Sequence, residues 1–332
     1  MTDEDLRLPD FPEVFDSTMR SAFIACPRQF FWSYLEHLRK PGLSVHLHFG
    51  GCFARGLEVT RKTYYRDAES IKYALCAGHN AIIETWGDVE FGDLPRPSAY
   101  KTLPACHDAL ASYFEQWPLD TDDLQPHRPT VGEPCIEMSF AVPIDGTAHP
   151  TTGKPIVYAG RFDMLADWQE ANTVFVCDEK TSSSLGVSWR NNWKLRGQLT
   201  GYCYGARSYG INVAGAIVRG VGILAGDITF EQVIETRPAW MIEVWLRQLR
   251  YDINRAADMW QQMRTWGVSD EVRQTVSYDI PLPREAWPQA LDSACSSYGG
   301  CQFLDLCDSE HPERWIDNYD RHEWNPLKRM VE

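Results

Sequence analysis

Asp163, Asp178 and Lys180 are the side chains best placed to do chemistry in this sequence. They lie in the stretch GRFDMLADWQEANTVFVCDEKTSSS, residues 160–184. The run TVFVC reads as a buried strand, and Asp178 and Lys180 stand at its end, where alternation puts both on one face. A preceding strand carries Asp163, with Arg161 and Leu165 as its same-face neighbours. If the two strands pair as a hairpin through DWQEAN, the carboxylates of Asp163 and Asp178 converge. Such a pair repels unless one member is protonated or a cation lies between them. Hard carboxylate oxygens suit Mg²⁺ or Mn²⁺. An ion there lowers the pKa of a bound water and stabilises charge on a phosphoryl oxygen. Lys180 is then the group that orients the water or meets the developing negative charge. Taken alone, D-x-K is more simply a structural Asp–Lys pair in a half-buried sheet, so the context has to decide.

Charge supplies part of that context. The chain has 332 residues and a formal net charge of −14, which argues against a generally nucleic-acid-binding surface. Yet no Asp or Glu occurs from Thr181 to Gly226, whereas Arg190, Lys194, Arg196, Arg207 and Arg219 all fall there. A basic segment directly after a carboxylate cluster points to a local anionic ligand. Trp189 and Trp193 beside Arg190, Lys194 and Arg196 pair stacking surfaces with positive charge, as single-stranded nucleic-acid channels do. Core packing with snorkelling basic residues is the alternative.

The elements that must position these groups follow from periodicity. Residues 1–15 read as an irregular acidic arm, and DSTMRSAFIACPRQFFWSYLEHLRK as a helix interrupted at Cys26-Pro27. A helical pattern runs from about 51 to 86, a shorter helix covers ACHDALASYFEQW, and 118–134 is a proline-rich loop. In CIEMSFAV, Ile136, Met138, Phe140 and Val142 alternate with Cys135, Glu137, Ser139 and Ala141, the pattern of a half-buried strand. PIVYAGRFDMLADW and TVFVCDEK are two more strands, SWRNNWKLRGQLTGYCYGARSYG a helix closed by Gly210, and VAGAIVRGVGIL and DITFEQVIET two further strands. A long amphipathic helix spans about 239–266, and the chain ends in a cysteine-rich loop. This order predicts an α/β core with helical additions at both ends.

In the order GRFD (160–163), DEKT (178–181) and QLTGY (198–202), the chain resembles the PD-(D/E)XK nuclease superfamily, in its RecB-like branch. That resemblance implies a restriction-endonuclease-like α/β core with a mixed central sheet flanked by helices. It implies one nuclease domain over 1–332: an N-terminal helical part (16–130), a catalytic core (131–236) and a C-terminal helix with a cluster-binding segment (237–332). By the same resemblance Asp163 and Asp178 bind Mg²⁺ or Mn²⁺, the carbonyl of Glu179 adds a ligand, and Lys180 is the catalytic lysine. Gln198 and Tyr202, four apart on one helical face, position the DNA strand or the lysine. The family's upstream motif, G-x-x-x-H-x-x-(L)-E, reads GCFARGLE here (51–58), so Arg55 stands at the histidine position. Arginine cannot ligate a cation. Glu58 is the substitute ligand, Arg55 a phosphate contact, and Glu137 a second-rank candidate, otherwise a solvent-facing strand residue. His46 and His48 are expected on a surface turn. The implied activity is an exonuclease acting on DNA that is single-stranded or has single-stranded ends, in recombination, repair or processing. The other readings are a catalytically weak DNA-binding protein and a partner-dependent subunit of a recombination or adaptation machine.

CSSYGGCQFLDLC places Cys295, Cys301 and Cys307 close together, a metal-site signature. Three thiolates need a fourth. Members of the same branch that resemble AddB and the CRISPR-adaptation nucleases join one N-terminal cysteine in a C-P-R/K-x-F/Y setting to three C-terminal ones around a 4Fe–4S cluster. Cys26 in ACPRQFF fits that setting, although the first C-terminal spacing is longer than the familiar one. Zinc on the same four thiolates is the competing metal. The remaining cysteines read as buried small hydrophobes. With no secretory signal at the acidic start, ten cysteines imply a reducing compartment, hence the cytoplasm. No run of eighteen apolar residues occurs, so no spanning helix or membrane partner is expected. A compact nuclease of this kind suits a phage genome. The acidic remainder suits a protein partner or self-association.

Overall fold

The computed structural model describes residues 8–129, 132–267, 282–291, 294–296 and 300–328. The first half of the expected acidic arm and parts of the C-terminal segment, including 268–281 and 297–299, lie outside the described residues. The chain divides into two compact units. One holds Leu43–Phe140 and Arg161–Glu243; the other holds Met1–Gly42, Ala141–Gly160 and Val244–Glu332.

The first unit combines three helices with most of a mixed sheet. Helix α3 (Val45–Arg61) is followed by α4 (Ile71–Trp86) and α5 (Leu103–Gln116). The single helix expected over 51–86 is two. Ala68 adopts a left-handed φ of 58°, and Ser70 then caps α4 by accepting a hydrogen bond from the Tyr73 N–H. This local side-chain capping overrides the apolar periodicity that runs across it. His46 and His48 lie within α3, not on a turn. Helices α3 and α4 approach closely because Gly78 has no side chain: a Cβ there would fall 2.0 Å from Thr60 Oγ1 and 2.9 Å from the Gly56 carbonyl oxygen. Phe49, Phe53, Leu57, Ile82, Leu110 and Tyr113 form the core of this layer, with Val221 and Ile223 of the sheet.

The sheet strands are β3 (Leu124–Pro126), β4 (Ile136–Pro143), β5 (Val157–Trp168), β6 (Thr173–Ser182), β7 (Val213–Ile223) and β8 (Ile228–Thr236). β5 and β6 form the expected antiparallel hairpin, with Met164 opposite Cys177 and Trp168 opposite Thr173. β6 and β7 run parallel, with Asp178 opposite Val218 and Lys180 opposite Gly220. β8 returns antiparallel to β7, and both β3 and β4 pair with β5. The β6–β7 crossover carries α6 (Val187–Asn191) and α7 (Gly197–Ser208), two helices where one was expected; Gly210 follows at φ 80°. β7 is almost continuously buried, as an interior strand covered on both faces must be.

In β4 the predicted alternation fails. Ile136 and Phe140 are buried, but Met138 and Val142 are only half-buried. Glu137 sits at φ 54°, a left-handed conformation unfavourable for a residue with a Cβ. The irregular backbone there breaks the period-two rule on which the expectation rested.

The second unit begins with β1 (Val14–Phe15), which pairs parallel with Val157 and Tyr158 at the start of β5. Asp16 caps α1 (Ser17–Ala25) by accepting from the Met19 N–H at 2.8 Å. The helix stops at Cys26, as expected: Cys26 is extended (φ −162°, ψ 112°), and Pro27 starts α2 (Pro27–Phe30), continued by a π-turn over Phe31–Leu35. Short strands β2 (Leu38–Arg39) and β9 (Asp320–Arg321) pair antiparallel. Phe15, Phe23, Phe30, Phe31 and Trp287 pack in stacked and edge-on contacts. Helix α8 spans Ala239–Trp266, and α9 (Leu304–Cys307) follows near the end. No helix of the described residues is long and apolar enough to cross a membrane.

Candidate active site and thiol pocket

β5 and β6 bring Asp163 and Asp178 into one electrostatic site, just beyond the last paired rung of the hairpin. Asp178 is 1% exposed, and neither of its oxygens accepts a hydrogen bond of good geometry. Lys180 Nζ lies 2.6 Å from Asp178 Oδ2 as its ion-pair partner. Asp163 Oδ2 accepts the backbone N–H of Glu179 at 2.9 Å. Burial first, and the Asp178 charge second, push the Asp163 carboxyl well above the carboxylate range; Lys180 only partly offsets them. Burial also raises Asp178, against the pull of Lys180. For Lys180, burial lowers the amine, but Asp178 and Asp163 outweigh it and the net direction is up. Two buried carboxyl groups sharing one lysine can both be ionised only at a cost, which protonation of one of them or a divalent cation relieves. The donor set therefore fits Mg²⁺ or Mn²⁺.

A third ligand is not in place. Among the described residues, no three His, Cys, Asp or Glu side chains form a group able to hold a metal ion. Glu58 is buried on α3, with Oε2 2.7 Å from Arg55 and Oε1 2.6 Å from Lys62. Burial would raise its pKa, but those two hydrogen bonds carry it below the ordinary value. Glu137 is not solvent-facing: its side chain is 8% exposed, paired with Arg161 at 2.7 Å. Burial pushes its carboxyl up to about 7 despite Arg161, with Glu58 and Glu179 adding to the rise. Glu137 thus lies within the same acidic field as Asp163.

The side chain of Glu179 leaves this site and enters a buried cluster with Arg61, Tyr113 and Arg219. Sequence reasoning missed Arg61 and Tyr113 and placed Arg219 in a ligand-facing basic segment. A lone arginine on a helix reads as a surface residue, and a tyrosine at helical spacing reads as core; only a basic residue inside the otherwise apolar β7 was a signal.

On α7, Gln198 Nε2 donates to Tyr202 OH at 2.9 Å, so the two residues expected on one face act as a pair. Tyr202 also packs edge-on against Phe162 and Phe140. The basic segment divides. Arg219 is buried in a bidentate pair with Asp122, and Arg207 donates to the carbonyls of Val213 and Arg237, so both are structural. Arg190, Lys194 and Arg196 are exposed, and Arg196 lies near enough to Asp178 to lower its pKa. Trp193 and Trp189 are both buried and packed edge-on at 5.3 Å, and a Cβ at Gly220 would collide with Trp189. They present no open stacking face; the core alternative describes them.

In the other unit, Cys26, Cys295, Cys301 and Cys307 line a single small pocket with Gln29, Gln289, Phe303 and Leu304. The Ala290 N–H donates to Cys26 Sγ at 3.3 Å, and Cys295 Sγ lies 3.8 Å from the Ala290 carbonyl oxygen. Burial raises the Cys301 and Cys307 thiols; Arg28 partly opposes this at Cys307. Four soft donors converging on one half-buried pocket fit a thiolate-bound metal or cluster, although they are not drawn together into a closed site.

The family description that matches the chain is "PD-(D/E)XK nuclease superfamily", over residues 18–308. No curated protein matches. Among solved structures, that of SSO0001 is similar at 15% sequence identity, covering 76% of this chain and 81% of that one, with a TM-score of 0.28. A likeness that distant carries no argument about the site.

Proposed function

The chain belongs to the PD-(D/E)XK nuclease superfamily, and on that premise we propose that it is a metal-dependent deoxyribonuclease of the RecB-like branch. It acts as an exonuclease on single-stranded DNA or single-stranded ends, in recombination, repair or processing. One observation carries the reading: Asp163 and Asp178 are buried in each other's field, with Lys180 the ion-pair partner of Asp178. Asp163, Asp178, the Glu179 carbonyl and Glu58 are the groups that would hold Mg²⁺ or Mn²⁺, Glu58 only on release from its Arg55 and Lys62 partners. When bound, the ion supplies an acidified water and stabilises charge on the phosphodiester. Lys180 would orient the attacking water and meet the charge developing on the phosphoryl oxygens. Arg190, Lys194 and Arg196 contact backbone phosphates, Arg55 a further one, and the Gln198–Tyr202 pair holds the strand.

Incubation of end-labelled single- and double-stranded DNA with Mg²⁺, Mn²⁺ or a chelator tests the proposal. Shortening that depends on metal is expected; no shortening in Mn²⁺ overturns it. The ion pairs that occupy both Glu58 oxygens favour a second reading, a DNA-binding protein with weak catalysis, which would shift the DNA without shortening it.

The four-cysteine pocket supports a 4Fe–4S cluster held by Cys26, Cys295, Cys301 and Cys307, mainly structural in role. A brown protein containing iron and sulfide is expected; a colourless one with stoichiometric zinc replaces the cluster with a zinc site.

A further inference from the structure

Neighbouring residues on a strand face opposite ways. Asp178 and Lys180 face the site, so the Glu179 side chain enters the other side of β6, where its partners are as specific as those in front. Glu179 Oε1 accepts from Arg61 Nη2 at 2.5 Å and from Tyr113 OH at 3.0 Å. The same Arg61 nitrogen donates to Tyr113 OH at 2.8 Å, and Arg219 Nη1 reaches that hydroxyl at 3.3 Å. Arg219 is itself fixed by Asp122 at 2.6 and 2.7 Å, by Gln232 at 2.9 Å, and by stacking 4.4 Å over Trp117. The Arg61 and Glu179 side chains are 5% and 3% exposed. The cluster thus joins α3, α5, β6 and β7 at one residue of the D-E-K triplet.

Stability alone does not require it. Replacing a buried ion pair by apolar residues of similar volume is often neutral or stabilising. What directional charged bonds add over apolar packing is a fixed position of the strand along its own axis. At Glu179 that position has chemical consequences. Its backbone N–H holds the Asp163 carboxylate at 2.9 Å, and its peptide links Asp178 to Lys180.

We propose that Arg61 and Tyr113 are positioning residues: by gripping the Glu179 side chain behind β6 they set the Glu179 peptide, and through it the mutual placement of Asp163 and Asp178 in front. This rests on the proposed function, since it concerns the metal affinity of that carboxylate pair.

The test is Mn²⁺ binding without DNA, followed by electron paramagnetic resonance, in wild type, D178A, the double variant R61M/E179L and Y113F. Wild type is expected to bind Mn²⁺ in a manner lost in D178A. R61M/E179L removes both charges together, leaving neither unpaired, and is expected to fold with unchanged circular dichroism while binding Mn²⁺ about 10- to 100-fold more weakly. On labelled DNA its kcat falls while KM for DNA stays near wild type, a split that a merely structural role does not produce. Y113F, which keeps both charges, is expected to weaken Mn²⁺ binding about two- to tenfold, and it decides the matter if the double variant does not fold. Wild-type Mn²⁺ affinity in a folded R61M/E179L, or in Y113F, overturns the positioning role and leaves the nuclease reading standing. Equal binding by wild type and D178A overturns both.

Discussion

Around Asp163 and Asp178 the protein supplies its own cations: Lys180 lies 2.6 Å from Asp178, Arg161 2.7 Å from Glu137, and Arg55 and Lys62 within 2.7 Å of Glu58. Around Cys26, Cys295, Cys301 and Cys307 the neighbouring charge is that of Arg28, and burial drives the Cys301 and Cys307 thiols toward the protonated form. The oxygen site is therefore held together by charges already present. At Cys301 and Cys307 burial favours the neutral thiol, which would acquire charge when a metal displaced its proton. On the proposed function, a metal ion would complete chemistry in the first region and structure in the second. Loss of ligands should consequently damage activity in one and stability in the other.

The sharpest way to break that contrast is at Asp178 and Lys180. D178A and K180A are each expected to reduce DNA cleavage by roughly 10³-fold or more, with the thermal midpoint near wild type and any iron content unchanged. A large fall in melting temperature with retained cleavage would mean that the pair is structural. The thiol pocket should respond in the opposite sense. C26S or C307S is expected to lose bound metal and to lower the melting temperature by on the order of 10 °C. Metal analysis and calorimetry check this, and an unaltered melting curve would remove the structural role. The effect of E58Q is smaller. If Glu58 exchanges its arginine and lysine for the ion, the Mg²⁺ concentration giving half-maximal cleavage rises about tenfold. If Glu137 is the third ligand instead, E137Q produces that rise and E58Q leaves it unchanged.

Why these sites could be read at all differs between them. The convergence of Asp163 and Asp178, with Lys180 on the Asp178 face, was legible because strand alternation is a strict geometric rule; the role assigned to them rested on the family resemblance. The hairpin through DWQEAN, on which that convergence was conditional, is observed. The stop of α1 at Cys26 was legible because Pro27 cannot continue the helix; the choice of Cys26 as a fourth thiol rested on the family resemblance. Glu137 was misjudged because a left-handed backbone at that residue suspends alternation, turning an outward position into a buried one. Trp193 was misjudged because a glycine on a strand distant in sequence, Gly220, makes the space that Trp189 fills beside it. Arg219 and Arg207 looked like part of a ligand surface, since charge counting along the chain cannot see the partners that the fold supplies. The Arg61–Tyr113–Glu179 cluster is the extreme case: its members come from three elements, and no local pattern connects them.

The smallest predicted effect probes the electrostatics of the oxygen site directly. Burial raises the carboxyls of Asp163 and Glu137, the latter to about 7. Without a divalent cation, the folded chain keeps protons on these groups that the unfolded chain releases. Their contribution to stability therefore declines as pH climbs from the ordinary carboxylate range through about 7. Glu179 behaves oppositely. Burial would raise it, but Arg61 brings its pKa down to about 2, so its contribution is complete above the ordinary carboxylate value and is lost only on strong acidification. It stays constant between pH 5 and 8 and does not mask the first trend. A divalent ion favours the charged carboxylates and relieves the repulsion. Ca²⁺ should therefore raise the melting temperature little at pH 5 and by about 5 °C near pH 8, and D163N/D178N should abolish that pH dependence. Scanning calorimetry in Ca²⁺ and in chelator across this range decides it. A Ca²⁺ shift independent of pH would show that the ion binds away from the protonated pair, and the distinction between an oxygen site tuned by charge and a sulfur pocket completed by metal would then rest on the sulfur side alone.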